Sequence, residues 1–227
     1  IMENLLLKYF QQRMEREQPV MEVNEPGPVI TISREYGCLG KIVAKKLTQR
    51  INSVYNTDWK WLSKEIFEKL ADDLKLNPSV IEEINNFHDR GVSDYLALLL
   101  SKSYYPGERK IKNTLHDIIL SLANEGKVVM VGRAGYYITN HIQNSYHIRL
   151  HAPLDWRVEH ISKKRGISYQ DSMKFVEDMD EKRLRFMEYF HEERKENKPF
   201  NQEINCAYKS VDAIVEELIT DIGRRLF

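Results

Sequence analysis

Residues 35–42 read Glu35-Tyr36-Gly37-Cys38-Leu39-Gly40-Lys41-Ile42, which matches half of a phosphate-binding pattern, G-x-x-x-x-G-K-[ST]. Gly40-Lys41 supplies the second half. Glu35 stands where the first glycine would be, and Ile42 where a hydroxyl would meet magnesium. The chemistry has a simple origin. A helix N-terminus carries unpaired N–H groups and partial positive charge, glycines let the backbone curl around phosphate oxygens, and a lysine reaches the outer phosphates. The same eight residues also fit a tight strand-to-helix turn that binds nothing. Their position directly after a buried strand favours the anion site.

Two further groups carry chemistry. Gly132-Arg133 follows another apolar run; glycine permits close approach there, and arginine forks onto a phosphate. A long helical stretch holds Asp180, Glu181, Lys182, Arg183 and Arg185. Arginines on a helical lid suit the charge of a transferring phosphoryl group, although a charge run on a helix is also what a solvated face looks like. Arg133 likewise fits a structural ion pair. His141, His147 and His151 show no metal-ligand spacing, and no His/Cys cluster suggests zinc. Cys38 lies in the loop, where the helix N-terminal field could lower a thiol pKa and open a redox role, but a small filler is the favoured reading.

These residues need a scaffold, and the pattern supplies one. Val29–Ile32, all β-branched and directly after Pro28, reads as a buried strand. A helix over about 41–52 follows, with Val43, Ala44, Leu47 and Ile51 facing inward. Residues 58–62 suggest a further strand, and 63–125 look mostly helical, ending at Gly126. Val128–Val131, His147–Leu150 and Ile204–Ala207 are three more strands. Helices are expected at about 155–164, at 168–195 with Ser168 and Asp171 as a capping box, and at 211–222, where Val211, Ile214, Val215, Leu218, Ile219 and Ile222 keep helical spacing. Such alternation predicts an α/β domain with a parallel sheet covered on both faces. Its ligands would sit beyond the carboxyl ends of the strands, in the loops 33–40, 132–135 and 151–154. Residues 1–17 read as an amphipathic helix and 18–28, with Pro19, Pro26, Gly27 and Pro28, as a linker. That helix would pack outside the main fold or on a partner subunit, making a homodimer.

Bulk composition narrows the function. Lys plus Arg and Asp plus Glu each number 34 in 227 residues, so the net charge is zero. That argues against general affinity for nucleic acid or an anionic membrane. No apolar run is long enough to span a bilayer, two cysteines make no disulfide framework, and residues 1–17 lack the basic start and cleavage site of a signal peptide. The expected address is cytoplasmic.

Taken together, these segments resemble the bacterial cytidylate kinase-like family. Residues 31–47 resemble its opening, I-S-R-E-[FY]-G-S-G-G-[KR]. Val129-Met130-Val131-Gly132-Arg133-Ala134-Gly135 resembles its second signature, and Arg149–Val158 its third, L-x-A-P-x-x-x-R-[IV]. Residues 179–190 are similar to its lid, D-x-x-R-x-x-[YF]-[YF]-x-x-[YF]. The resemblance covers about 29–220. It implies a three-layer P-loop fold: a five-stranded parallel sheet, a helical acceptor-binding insert at 63–110 and a helical lid at 166–200, all within 29–227, with 1–28 outside. It implies transfer of the ATP γ-phosphoryl group, with Mg2+, to a nucleoside monophosphate, usually CMP or dCMP. Ser33, Arg34, Glu35, Tyr36, Gly37, Cys38, Leu39, Gly40, Lys41 and Ile42 would line the ATP phosphates. Gly132, Arg133 and Asp180 would meet the acceptor. Lys41, Arg183 and Arg185 would act on the phosphoryl group. The chain departs from the family where Cys38-Leu39 replaces Ser-Gly and, relative to cytidylate kinases, where Ala134 replaces an Asp. A nucleotide- or anion-binding protein of the same fold, regulatory or oligomer-forming and without turnover, is the alternative those departures leave open.

Overall fold

The computed structural model describes residues 27–63, 116, 119–120, 122–132, 134–191 and 199–227. The expected N-terminal helix, Arg133 and nearly all of the segment 63–110 lie outside them. Contacts divide the chain into two compact units, 24–64 with 122–227, and 1–23 with 65–121. Of the second, His116, Ile119 and Leu120 fall among the described residues and are helical.

The first unit is built on β1 (Val29–Arg34), β2 (Lys60–Leu62), β3 (Val128–Val131), β4 (Ser145–His151) and β5 (Gln202–Asn205). They form one sheet in the order β2-β3-β1-β4-β5, and every pairing is parallel. The central strands are covered on both faces, so VITI and VVMV are apolar or β-branched without alternation. Chain order and spatial order differ, and the reversal brings the ends of β3, β1 and β4 together.

One face is closed by α1 (Gly40–Tyr55) and by the C-terminal helix of 16 residues, Val211–Leu226. Val43, Ala44, Leu47 and Ile51 meet Ile214, Leu218 and Ile222 over Ile30, Ile32, Tyr146 and Ile148. Their i, i+4, i+8 spacing places them on one helix stripe. Ser210 caps the last helix, its hydroxyl accepting from the Ala213 N–H at 3.2 Å. Thr31 and His147 point to the opposite face. There His147 Nδ1 meets Thr31 Oγ1 at 2.7 Å and Nε2 meets Ser145 Oγ at 2.9 Å, and Tyr136 sets its ring edge-on to the imidazole at 5.2 Å. This histidine is a buried core residue with both ring nitrogens partnered.

After the short α2 (Gly135–Thr139), which the sequence pattern did not reveal, α3 (Leu154–Arg165) and α4 (Tyr169–His191) make a helical hairpin. Gly166 turns the chain with φ +68, and Ser168 Oγ accepts from the Asp171 N–H at 3.1 Å, half of the expected capping box. Val158, Ile161 and Val176 join the two helices. The last helix of the chain, Val211–Leu226, is α5. One strand is shifted from its expected place. Strand β5 ends at Asn205, because the Asn205 side chain accepts from the Ala207 N–H at 3.0 Å and turns Cys206–Tyr208 into a 3-10 helix.

Candidate functional site

The three expected loops do meet at one edge, beyond β1, β3 and β4. Strand β1 runs through Ser33 and Arg34, and the Glu35 N–H still bonds Leu150 O at 3.0 Å. The chain then turns tightly: Leu39 N–H donates to Gly37 O at 3.0 Å, and Ile42 and Val43 N–H donate to Leu39 O at 2.9 and 3.1 Å. Gly37 has φ +97 and Leu39 φ +29. The first suits glycine. The second holds a leucine in the left-handed region, where L-residues carry strain of about 1–2 kcal/mol.

A buried arginine organises this loop. Arg157 lies on the stripe of α3 that also buries Val158 and Ile161, and only 9% of its side chain is exposed. Its Nε donates to Ala152 O at 3.0 Å and lies 3.3 Å from Glu35 Oε2. Its Nη1 donates to Tyr36 O at 3.2 Å and to the Asp180 carboxylate. Glu35 Oε2 also accepts from the Ala152 N–H at 3.0 Å, and Asp180 Oδ1 from the Tyr36 N–H at 2.6 Å. One guanidinium thus ties the loop, the exit of β4 and helix α4 together. Glu35, which breaks the phosphate pattern, is part of this tie. Its carboxylate faces Arg157 and Ala152.

Helix α4 adds a second clasp. Arg183, one turn from Asp180, donates from Nη1 to Arg34 O at 3.3 Å and lies 4.9 Å over the Tyr36 ring. Burial lowers its pKa, and Asp180 offsets part of that; the side chain stays a cation. Phe175 also packs against Tyr36, edge to face at 5.3 Å. Arg185 lies about 200° further round the helix and pairs with Glu181 at 2.5 Å. The structure therefore brings Asp180 and Arg183 to the loop and turns Arg185 along the helix. Lys41 and Ile42 are exposed on the first turn of α1, Ile42 by 44%. Gly132 (φ +74) and Ala134 (φ +54) shape the loop after β3.

The helix field does not lower the Cys38 thiol. Cys38 and Cys206 are both buried; a hydrogen bond with Cys206, together with burial, raises the Cys38 pKa. It is a small buried filler.

The ordering of the loop gives one clear test. A Cβ on Gly37 would lie 3.1 Å from Arg157 Cβ and 3.4 Å from its Cα, at a φ that disfavours side chains. Gly37→Ala is expected to destabilise by about 1–2 kcal/mol, read from urea unfolding. An unchanged midpoint would show that the loop relaxes freely.

Arg157 is the residue that sequence reasoning left without a role. It was visible inside the L-x-A-P-x-x-x-R motif. The usable signal was an arginine on the same stripe as Val158 and Ile161, since a charge on a buried stripe requires partners.

A parallel sheet of this order, with a glycine-bearing loop between its central strand and first helix and a helical hairpin fastened to that loop, defines a P-loop kinase fold. The chain belongs to the cytidylate kinase-like family, whose sequence pattern matches residues 29–206. Among solved structures, it resembles an uncharacterized protein from Eubacterium ventriosum, with a TM-score of 0.58 and 21% identity over 87% of this chain and 99% of that one. It also matches a shikimate kinase from Bacteroides thetaiotaomicron (12% identity, TM-score 0.45, 86% and 98% covered) and a dephospho-CoA kinase from Campylobacter jejuni (13%, 0.36, 87% and 97%). At 21% identity the likeness to the first of these is one of fold. No curated protein matches the sequence. Among the described residues no helix is long and apolar enough to cross a membrane.

Proposed function

We propose that this protein is a phosphotransferase that moves the ATP γ-phosphoryl group to a small acceptor, CMP or dCMP in the first instance. The observation that carries the reading is the double clasp of α4 on the loop, through Asp180 to the Tyr36 N–H and through Arg183 to Arg34 O. It joins a candidate donor seat and a candidate lid in one unit, as phosphoryl transfer by positioning and charge neutralisation needs. The loop Ser33–Ile42 with Lys41 would hold the ATP phosphates. Gly132 and Arg133 would face the acceptor, with Asp180 at its edge. Arg183, with Arg185 in support, would neutralise the moving group. Residues 63–110 are the proposed acceptor-binding insert, 166–200 the lid, and 1–28 a segment for self-association, in a cytoplasmic enzyme.

Among the described residues, magnesium finds no set of protein ligands. Ile42 stands in the hydroxyl position, Glu35 is engaged by Arg157, and no group of His, Cys, Asp or Glu among the described residues gathers as a metal site. Nothing in the proposed steps runs through a protein-held ion.

A second reading has its own observation. Leu39 adds bulk to the candidate phosphate loop in a strained conformation. That fits a nucleotide- or anion-binding protein without turnover. A coupled ADP-release assay with ATP and each common nucleoside monophosphate separates the two, alongside thermal shifts with ATP, CMP and sulfate. Turnover with a pyrimidine monophosphate is the expected result. Thermal stabilisation without turnover would leave the binding protein, and neither response would overturn both.

A further inference from the structure

Two glycines at this edge leave room for one side chain. A Cβ on Gly40, the first residue of α1, would lie 3.1 Å from Arg34 Cγ and 3.4 Å from its Cδ. A Cβ on Gly132 would lie 2.2 Å from Arg34 Nη1 and 2.9 Å from its Cζ. The Arg34 stem therefore crosses the opening of α1, and its guanidinium ends against the exit of β3. Neither position would tolerate a side chain without displacing it, and Gly132 also has φ +74. The backbone under this arginine is fixed, because the Gly132 N–H bonds Ile32 O at 3.1 Å and Arg183 donates to Arg34 O at 3.3 Å. Lys41, by contrast, is the second residue of α1, about 100° round the axis from Gly40, and is exposed.

We infer that Arg34, rather than Lys41, supplies the cation that meets the outer phosphates of a bound nucleoside triphosphate, along a track kept open by Gly40 and Gly132. This rests on the reading of the loop as a phosphate seat. An arginine suits the task because its planar fork engages two phosphate oxygens at once. The position between the opening of α1 and the exit of β3 adds the partial positive charge of the helix end. The pattern thus keeps its cation but takes it from the end of the strand, which accounts for a glycine at the position where the helix opens.

Isothermal titration of the full chain with inorganic tripolyphosphate, and with ATP, tests this. Arg34→Met keeps the aliphatic stem over Gly40 and removes the charge. Its affinity for tripolyphosphate is expected to fall roughly 10- to 100-fold, with little change in melting temperature, and Arg34→Lys is expected to recover part of the loss. Lys41→Ala is expected to lose at least tenfold less than Arg34→Met. The inference is overturned if Arg34→Met binds like the parent chain, if Lys41→Ala loses as much, or if the parent binds neither probe. Loss of tripolyphosphate binding in Arg34→Met, in a chain that phosphorylates no monophosphate, would uphold the inference while the phosphotransferase reading fails. Turnover that survives Arg34→Met would do the reverse.

Discussion

Arg157→Met is expected to cost about 3 kcal/mol of stability and to release the loop. The variant keeps most of the stem volume on α3 and removes the charge that faces Glu35 and Asp180. Removing one partner of a buried ion pair costs about 3–5 kcal/mol, since the other is left uncompensated. Glu35 and Asp180 are 31% and 28% exposed, so water recovers part of their solvation and the lower end applies. For a domain of this size that is roughly 6–12 °C in melting temperature. Arg157→Lys should rescue little, because a single ammonium cannot meet Glu35, Ala152 O, Tyr36 O and Asp180 together. Pairing Arg157→Met with Asp180→Asn should cost less than the two single changes combined, as expected for groups in one network. A loss under about 1 kcal/mol for Arg157→Met would mean that the tie is cosmetic.

The second large effect is on rate. Under the phosphotransferase reading, Arg183→Ala is expected to lower kcat roughly 100- to 1000-fold while KM for ATP moves far less. The change also removes the contact with the Tyr36 ring, worth about 2 kcal/mol where the cation is desolvated, and the bond to Arg34 O, so the melting temperature is measured beside the rate. Lysine should restore little, since stacking on Tyr36 and bonding to Arg34 O need the flat guanidinium. Arg185→Ala should lose less, because that side chain is paired along the helix with Glu181. Equal losses for the two arginines, or none for Arg183, would remove α4 from the proposed transfer step.

The sheet was legible because both of its faces are buried. VITI and VVMV leave no reading but core strands, and α1 and α5 show their stripes at helical spacing. Strand β5 was harder to place, since QEIN has one buried residue and its end is set by a side-chain cap at Asn205. At the site, sequence pattern picked out a loop and a pair on α4 that the fold brings into contact. It did not reveal which of their groups face each other. Glu35 looked like a lost glycine, yet its partners Arg157 and Ala152 lie more than a hundred residues further on. Contacts of that kind come from the crossover order of the strands, on which local periodicity carries no information. The cause of the raised Cys38 thiol was hidden for the same reason, since Cys206 is its neighbour only in the folded chain.

That sulfur pair has a practical side. The chain contains two cysteines in all, and both are enclosed beneath the loop. The native molecule therefore offers no thiol at its surface, and a cysteine introduced at an exposed position becomes a unique attachment point for a spin label or fluorophore without first deleting Cys38 or Cys206. Labels placed on the exposed Tyr208 and Leu184 positions would sit on the 3-10 helix after β5 and on α4, so that the spacing between them can be followed as ligands are added.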